Sequence, residues 1–109
     1  MKVEQFLNRN QFHLYDCDID ILQSYNSQVV KITNYYGCYQ CITLGCDWDY
    51  STTTSKHVYA FLEKYSNIKF YNIINKRKYI NDLLKEYKEN KDKFLEKHNY
   101  IIVYDENMV

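Results

Sequence analysis

The residues best able to do chemistry stand together in WDYSTTTSKH, Trp48 to His57. Two aromatics, an acid, five hydroxyls, a lysine and a histidine fall within ten positions. Three chemistries use such a set: a hydroxyl nucleophile with a histidine base, an anion cradle, or the capped start of a helix. The nucleophile reading fails on spacing. Ser55 and His57 are two apart, and two helical residues at that spacing point to different sides. Thr53 and His57 are four apart and can meet, but no third group orients the histidine. Free amides at a helix start, with hydroxyls, Lys56 and His57 beside them, suit an anion. No glycine lets the backbone wrap a phosphate, however, and Asp47 and Asp49 repel one. Ser and Thr are the preferred N-caps, because their oxygen accepts a bond from a free amide of the first turn. The stretch therefore reads as a strand-to-helix junction. One or two hydroxyls cap the helix, and the surplus forms a contact surface. Trp48 and Tyr50, two apart, share a face and anchor it, with Asp49 on the other. His57 packs, hydrogen-bonded, beside Phe61.

Two further groups have ligand-like spacing. Asp16, Asp18 and Asp20 alternate as D-x-D-x-D. On one strand face successive carboxylates are about 7 Å apart, too far for one Mg²⁺ without a fourth acid. Asp47 and Asp49 are the remaining donors in that half. A solvated face or an acidic patch for a basic partner needs no such convergence. Cys38 and Cys41 form a C-x-x-C, with Cys17, Cys46 and three histidines elsewhere. Zinc needs four converging ligands, no second pair is spaced for it, and positions i and i+3 of a strand face opposite ways. The expectation is no metal, no cofactor and no catalytic residue.

The elements that must position these groups divide at about residue 50. FHLYDCDIDILQSY (12–25) alternates as a strand, with an interruption near Asp18 left open, His13, Tyr15, Cys17, Ile19 and Ile21 on one face and the three aspartates on the other. SYNS reads as a turn. QVVKITNYY (28–36) and CYQCITLGC (38–46) read as two more strands around a hairpin turn at Gly37. Beyond Ser51, Val58, Phe61, Leu62 and Tyr65 make one helical stripe. Ile68 and Phe70 lose that period and read as a short strand or an extended connector. Ile80, Leu83, Leu84 and Tyr87 make a second stripe, extended by Phe94 and Leu95. YIIVY (100–104) reads as a last strand. The expected fold is one α+β domain over 1–109. A three- to four-stranded, mainly antiparallel sheet (12–46 plus 100–104) packs on two helices (about 52–65 and 76–97).

Fourteen basic and fourteen acidic residues cancel, which disfavours generic nucleic-acid binding. The halves differ. Residues 1–50 hold Lys2, Arg9 and Lys31 against Glu4, Asp16, Asp18, Asp20, Asp47 and Asp49, and the second half is mildly basic. No apolar leader opens the chain, and no stretch reaches about 18 apolar residues. A cytoplasmic protein is expected, its four cysteines reduced.

ITLGCDWDYSTTTSKHVYAFL (42–62) resembles a small domain of unknown function found in phages and mobile elements of low-GC Gram-positive bacteria. Its pattern is W-D-Y-S-x-T-T-x-K/R-H followed by a helix with an F-L pair. LQSYNSQVV (22–30) is similar to that family's strand entry. The likeness covers about residues 20–65 and brings no activity with it; the Cys38–Cys41 pair and the chain after Ser66 depart from it. The phage setting implies an inhibitor of host defence. The functional expectation is a non-enzymatic binding protein, anti-CRISPR-like, that occludes a host CRISPR effector or other defence nuclease in the host cytoplasm. Asp16, Asp18, Asp20, Asp47, Asp49, Tyr50 and Lys56 are its candidate contacts. The alternatives are a nucleic-acid binder using the basic helix 76–97 and, less favoured, a metal-dependent enzyme. A homodimer stays open, and no membrane contact is expected.

Overall fold

The computed structural model of the chain describes residues 1–35 and 39–108, the side chain of Asn8 excepted. The expected turn at Gly37 and the Cys38 half of the C-x-x-C lie outside them. Six strands form one sheet in sequence order: β1 (Lys2–Phe6), β2 (Asn8–Tyr15), β3 (Ile19–Ser24), β4 (Ser27–Asn34), β5 (Gln40–Gly45) and β6 (Tyr100–Asp105). The first five pair antiparallel, and β6 runs parallel to β5. A parallel neighbour requires a crossover. It is supplied by α1 (Thr52–Tyr65), α2 (Lys76–Glu89) and α3 (Lys91–His98).

The expected class, α+β, stands, but the expected sheet of three to four strands on two helices is corrected to a mixed six-stranded sheet with three helices. Two local causes explain the difference. The alternating run 12–25 is two strands, because the chain reverses over Asp16 to Asp18, where the Asp16 amide donates to the Ile19 carbonyl at 3.0 Å. The reversal also changes the side-chain phase. His13 pairs with Leu22, and Tyr15 with Asp20, so Asp20 shares a face with His13 instead of opposing it. The second helix is divided at Asn90. This residue ends α2 and caps α3, its side-chain oxygen accepting from the Lys93 amide at 3.1 Å. Strand β1 went unread because KVEQF has charged and polar residues on both faces. Its turn into β2 is made by Leu7 with φ 61, where no glycine or asparagine announces it.

The helix-facing side of the sheet carries Leu22, Val30, Ile32, Ile42, Leu44 and Ile102. These close on Val58, Phe61 and Leu62 of α1, Ile80 and Leu83 of α2, and Phe94 of α3. Each such side chain contributes about 1.5–3 kcal/mol on burial. Residues 66–75 are the connector rather than a strand, pinned by buried Ile68 and Phe70. Gln40 ties β5 to the end of α1. Its Oε1 accepts from the Asn67 amide at 2.7 Å, and its Nε2 donates to Asn34 Oδ1 at 2.8 Å. Among the described residues no helix is long and apolar enough to cross a membrane.

Candidate functional site

The junction between β5 and α1 is built as two successive turns. The Trp48 amide donates to the Gly45 carbonyl, and the Tyr50 amide to the Asp47 carbonyl, each at 3.1 Å. Turns do not alternate as strands do. Trp48 is accordingly buried at 3 % exposure while Tyr50 stands 81 % exposed. Trp48 alone anchors the junction, and the expectation that Tyr50 shares its face is corrected. Ser51 is the N-cap of α1, its Oγ accepting from the Thr54 amide at 3.1 Å. Thr54 and Ser55 are buried. Thr52 and Thr53 remain exposed. His57 is half-buried, and its Nδ1 has no partner among the described residues. Burial lowers its pKa, holding the ring neutral. It packs as expected, but without a hydrogen bond at Nδ1.

Beside this junction lies a cleft of about 590 Å³. One wall is the β3–β4 turn, with Ser24, Tyr25 and Ser27. The other is the start of α1, with Tyr50, Ser51 and Thr53. Asp47 belongs to the cleft and joins its walls, accepting from Ser27 Oγ at 2.9 Å. Tyr25 takes the left-handed backbone (φ 55) in a two-residue turn and is 62 % exposed. The cleft thus combines two solvent-facing phenols, several hydroxyls and one carboxylate.

The seven expected contact residues do not form one surface. Asp47 and Tyr50 meet in this cleft. Asp49 turns to a larger groove on the other side of the junction, where its Oδ2 accepts from Arg77 at 2.8 Å. Lys56 lines a third depression with Glu63 and Lys76. Asp16 and Asp18 sit in the β2–β3 turn. The length of β3, about 17 Å, separates them from the end where Tyr25 and Asp47 meet. Asp20 points toward the helices, with Oδ1 2.7 Å from Nε2 of buried His13. Sequence reasoning missed Tyr25, reading SYNS as a spacer. The available signal was a bulky aromatic in a tight turn, where Gly, Asn or Asp fits the backbone better.

Among the described residues no three His, Cys, Asp or Glu side chains converge as a metal site requires. Cys17, Cys41 and Cys46 carry free thiols. Burial raises the pKa of Cys41, and burial with the neighbouring Asp47 raises that of Cys46. Both therefore favour the thiol over the nucleophilic thiolate.

A mixed sheet packed on helices, with a tyrosine- and hydroxyl-lined cleft at a strand-to-helix junction, defines a small α+β domain. Residues 1–76 match a family of unknown function, DUF8033, and the chain belongs to it. The match spans β1 to β5, α1 and the connector, so the whole cleft lies within it and nearly all of α2, with α3 and β6, lies outside. No curated protein and no solved structure matches the chain.

Proposed function

We propose that the chain is a non-enzymatic binding protein that holds a protein partner in the Tyr25–Asp47–Tyr50 cleft. The observation that carries this reading is the pair of exposed tyrosines facing a hydroxyl-lined cleft. Tyrosine supplies contact area at low entropic cost, and Ser and Thr adapt their hydrogen bonds to the partner. Aromatic anchors of this kind dominate binding energy at protein interfaces. The Ser27–Asp47 bond and the Ser51 cap hold the two walls before any partner arrives, which lowers the ordering cost of binding. Asp47 gives the cleft a negative charge that suits a basic side chain.

In its specific form, the proposal is an inhibitor of a host defence nuclease, anti-CRISPR-like, acting in the host cytoplasm. Its support is the phage-type resemblance of W-D-Y-S-x-T-T, the stretch that builds one wall of the cleft. The acidic patch expected for a basic partner narrows to Asp47, since Asp16 and Asp18 lie at the far end of the sheet and Asp49 pairs with Arg77. The nucleic-acid alternative is weakened by the division of the basic helix at Asn90. It is weakened again by ion pairs that occupy Arg77, Lys78 and Lys97.

A transformation assay in a host with an active nuclease defence tests the specific form. The wild-type protein should rescue a targeted plasmid, and Asp47→Lys or Tyr25→Ser with Tyr50→Ser should abolish the rescue. Asp16→Lys with Asp18→Lys should keep it. Rescue that survives the cleft substitutions and disappears with the Asp16 and Asp18 pair would overturn the assignment of the cleft.

A further inference from the structure

A groove of about 700 Å³ lies between α2 and β6, lined mostly by residues beyond the family match and independent of the cleft above. β6 is an edge strand, with β5 on one side only. Among the described residues, its second row of backbone amides and carbonyls has no strand partner. Proteins usually blunt such edges. The opposite edge, β1, does so with Lys2, Glu4 and a register shift after Gln5. β6 reads YIIVYD and has no lysine, proline or bulge. Ile102, Val103 and Tyr104 of this strand line the groove, with Leu84 of α2 facing them and Trp48 beneath.

The groove is also charged. Lys85, Lys88 and Lys91 line it, and among the described residues none of the three is in an ion pair. The carboxylate on the lining, Asp49, is already neutralised by Arg77. An unpartnered strand edge beside three ammonium groups without ion pairs, one of them (Lys91) over the Tyr87 ring, fits a particular occupant. We propose that the groove binds an extended acidic peptide segment of a partner protein, which adds to β6 as a seventh strand.

The pleat dictates the peptide's pattern. Side chains of an added strand alternate between faces. Those beside Ile102 and Tyr104 lie on the helix side and meet the α2 and α3 lysines, so they are acidic. Those beside Ile101 and Val103 lie on the open face and meet apolar neighbours, so they are apolar. Main-chain bonds supply affinity and the alternation supplies selectivity. Six residues of β6 set the length of the segment.

A fluorescent peptide of alternating Glu and Val, about six residues long, is the probe, with a Lys/Val peptide of equal length as control. Fluorescence anisotropy should show binding of the acidic peptide at least about tenfold tighter than the basic one, weakening as salt shortens the screening length. Lys85→Glu with Lys88→Glu should weaken it by about tenfold or more. Both side chains are exposed, so the variant keeps its fold, and circular dichroism checks that. Amide exchange of residues 101–105 should slow when the acidic peptide is added. Equal binding of the two peptides, wild-type binding by the charge-reversed variant, or binding that leaves the β6 amides unprotected would overturn the proposal. So would single-stranded DNA that displaces the acidic peptide and binds more tightly, since the lysines would then serve nucleic acid.

Discussion

His13 and Asp20 face each other across the β2–β3 pair, with Nε2 2.7 Å from Asp20 Oδ1. The other ring nitrogen, Nδ1, is 2.9 Å from Glu4 Oε1 on β1. Each ring nitrogen thus has a carboxylate oxygen within hydrogen-bond distance. The ring is 4 % exposed and packs against Tyr65, Tyr15 and Phe61. It closes the core at the β1 edge. Asp20→Ala leaves a buried donor without its partner and should cost about 1–3 kcal/mol in urea unfolding. Glu4 is half exposed, and Glu4→Ala should cost less than about 1 kcal/mol. Equal costs would contradict this ranking.

Capping separates the hydroxyls of the Ser51–Ser55 run. Ser51→Ala removes the acceptor for the Thr54 amide and should destabilise the domain by about 1 kcal/mol. Thr53→Ala, at an exposed position, should change stability by less than about 0.5 kcal/mol. Thermal melts of the two variants decide whether one hydroxyl caps and another is free for contact.

Gly45 has a steric duty at the end of β5. A Cβ there would press on the Gln28 carbonyl oxygen of β4 and lie 2.7 Å from that of Met108. Both are backbone atoms and cannot rotate away. Gly45→Ala should therefore destabilise by about 1–3 kcal/mol, read as a lower denaturation midpoint. An unchanged midpoint would mean that the C-terminal turn is not packed against β5.

The pKa of His57 is lowered by burial from the ordinary 6.5, and this gives stability a defined pH dependence. The folded state holds the ring neutral, while the unfolded chain takes up a proton at pH 6.5. Its contribution is complete above that value and is lost as pH falls through the lower folded pKa. His57→Gln removes this loss. The wild-type protein should lose stability relative to His57→Gln between about pH 7 and pH 5. Parallel melting curves across that range would contradict the burial of a neutral ring.

The parts of the fold legible in the sequence are those with a sustained period. The Val58–Phe61–Leu62–Tyr65 stripe is α1 as read, and YIIVY is β6. What the sequence hid was hidden locally. Asp16 to Asp18 continue the alternation of the strands around them, so a turn there looks like more strand. Asn90 serves both helices without a glycine or proline to mark the break. Of the proposed contact residues, Asp47 and Tyr50 stand out in the sequence because they adjoin a recognisable helix start. The role of Tyr25 depends on the register of β3 against β4, and Asp20 was misassigned because its face depends on a turn that the pattern conceals.

Site-specific photocrosslinking tests whether Tyr25 and Tyr50 hold a protein partner. Tyr25, Tyr50 and Tyr71 would each be replaced by a photoreactive phenylalanine analogue in cells where the protein is naturally made. Tyr71, 84 % exposed, lies by a different depression and is the control. Positions 25 and 50 should give the same discrete adduct and position 71 none. Indistinguishable adducts from all three positions, or none from 25 and 50, would contradict this assignment.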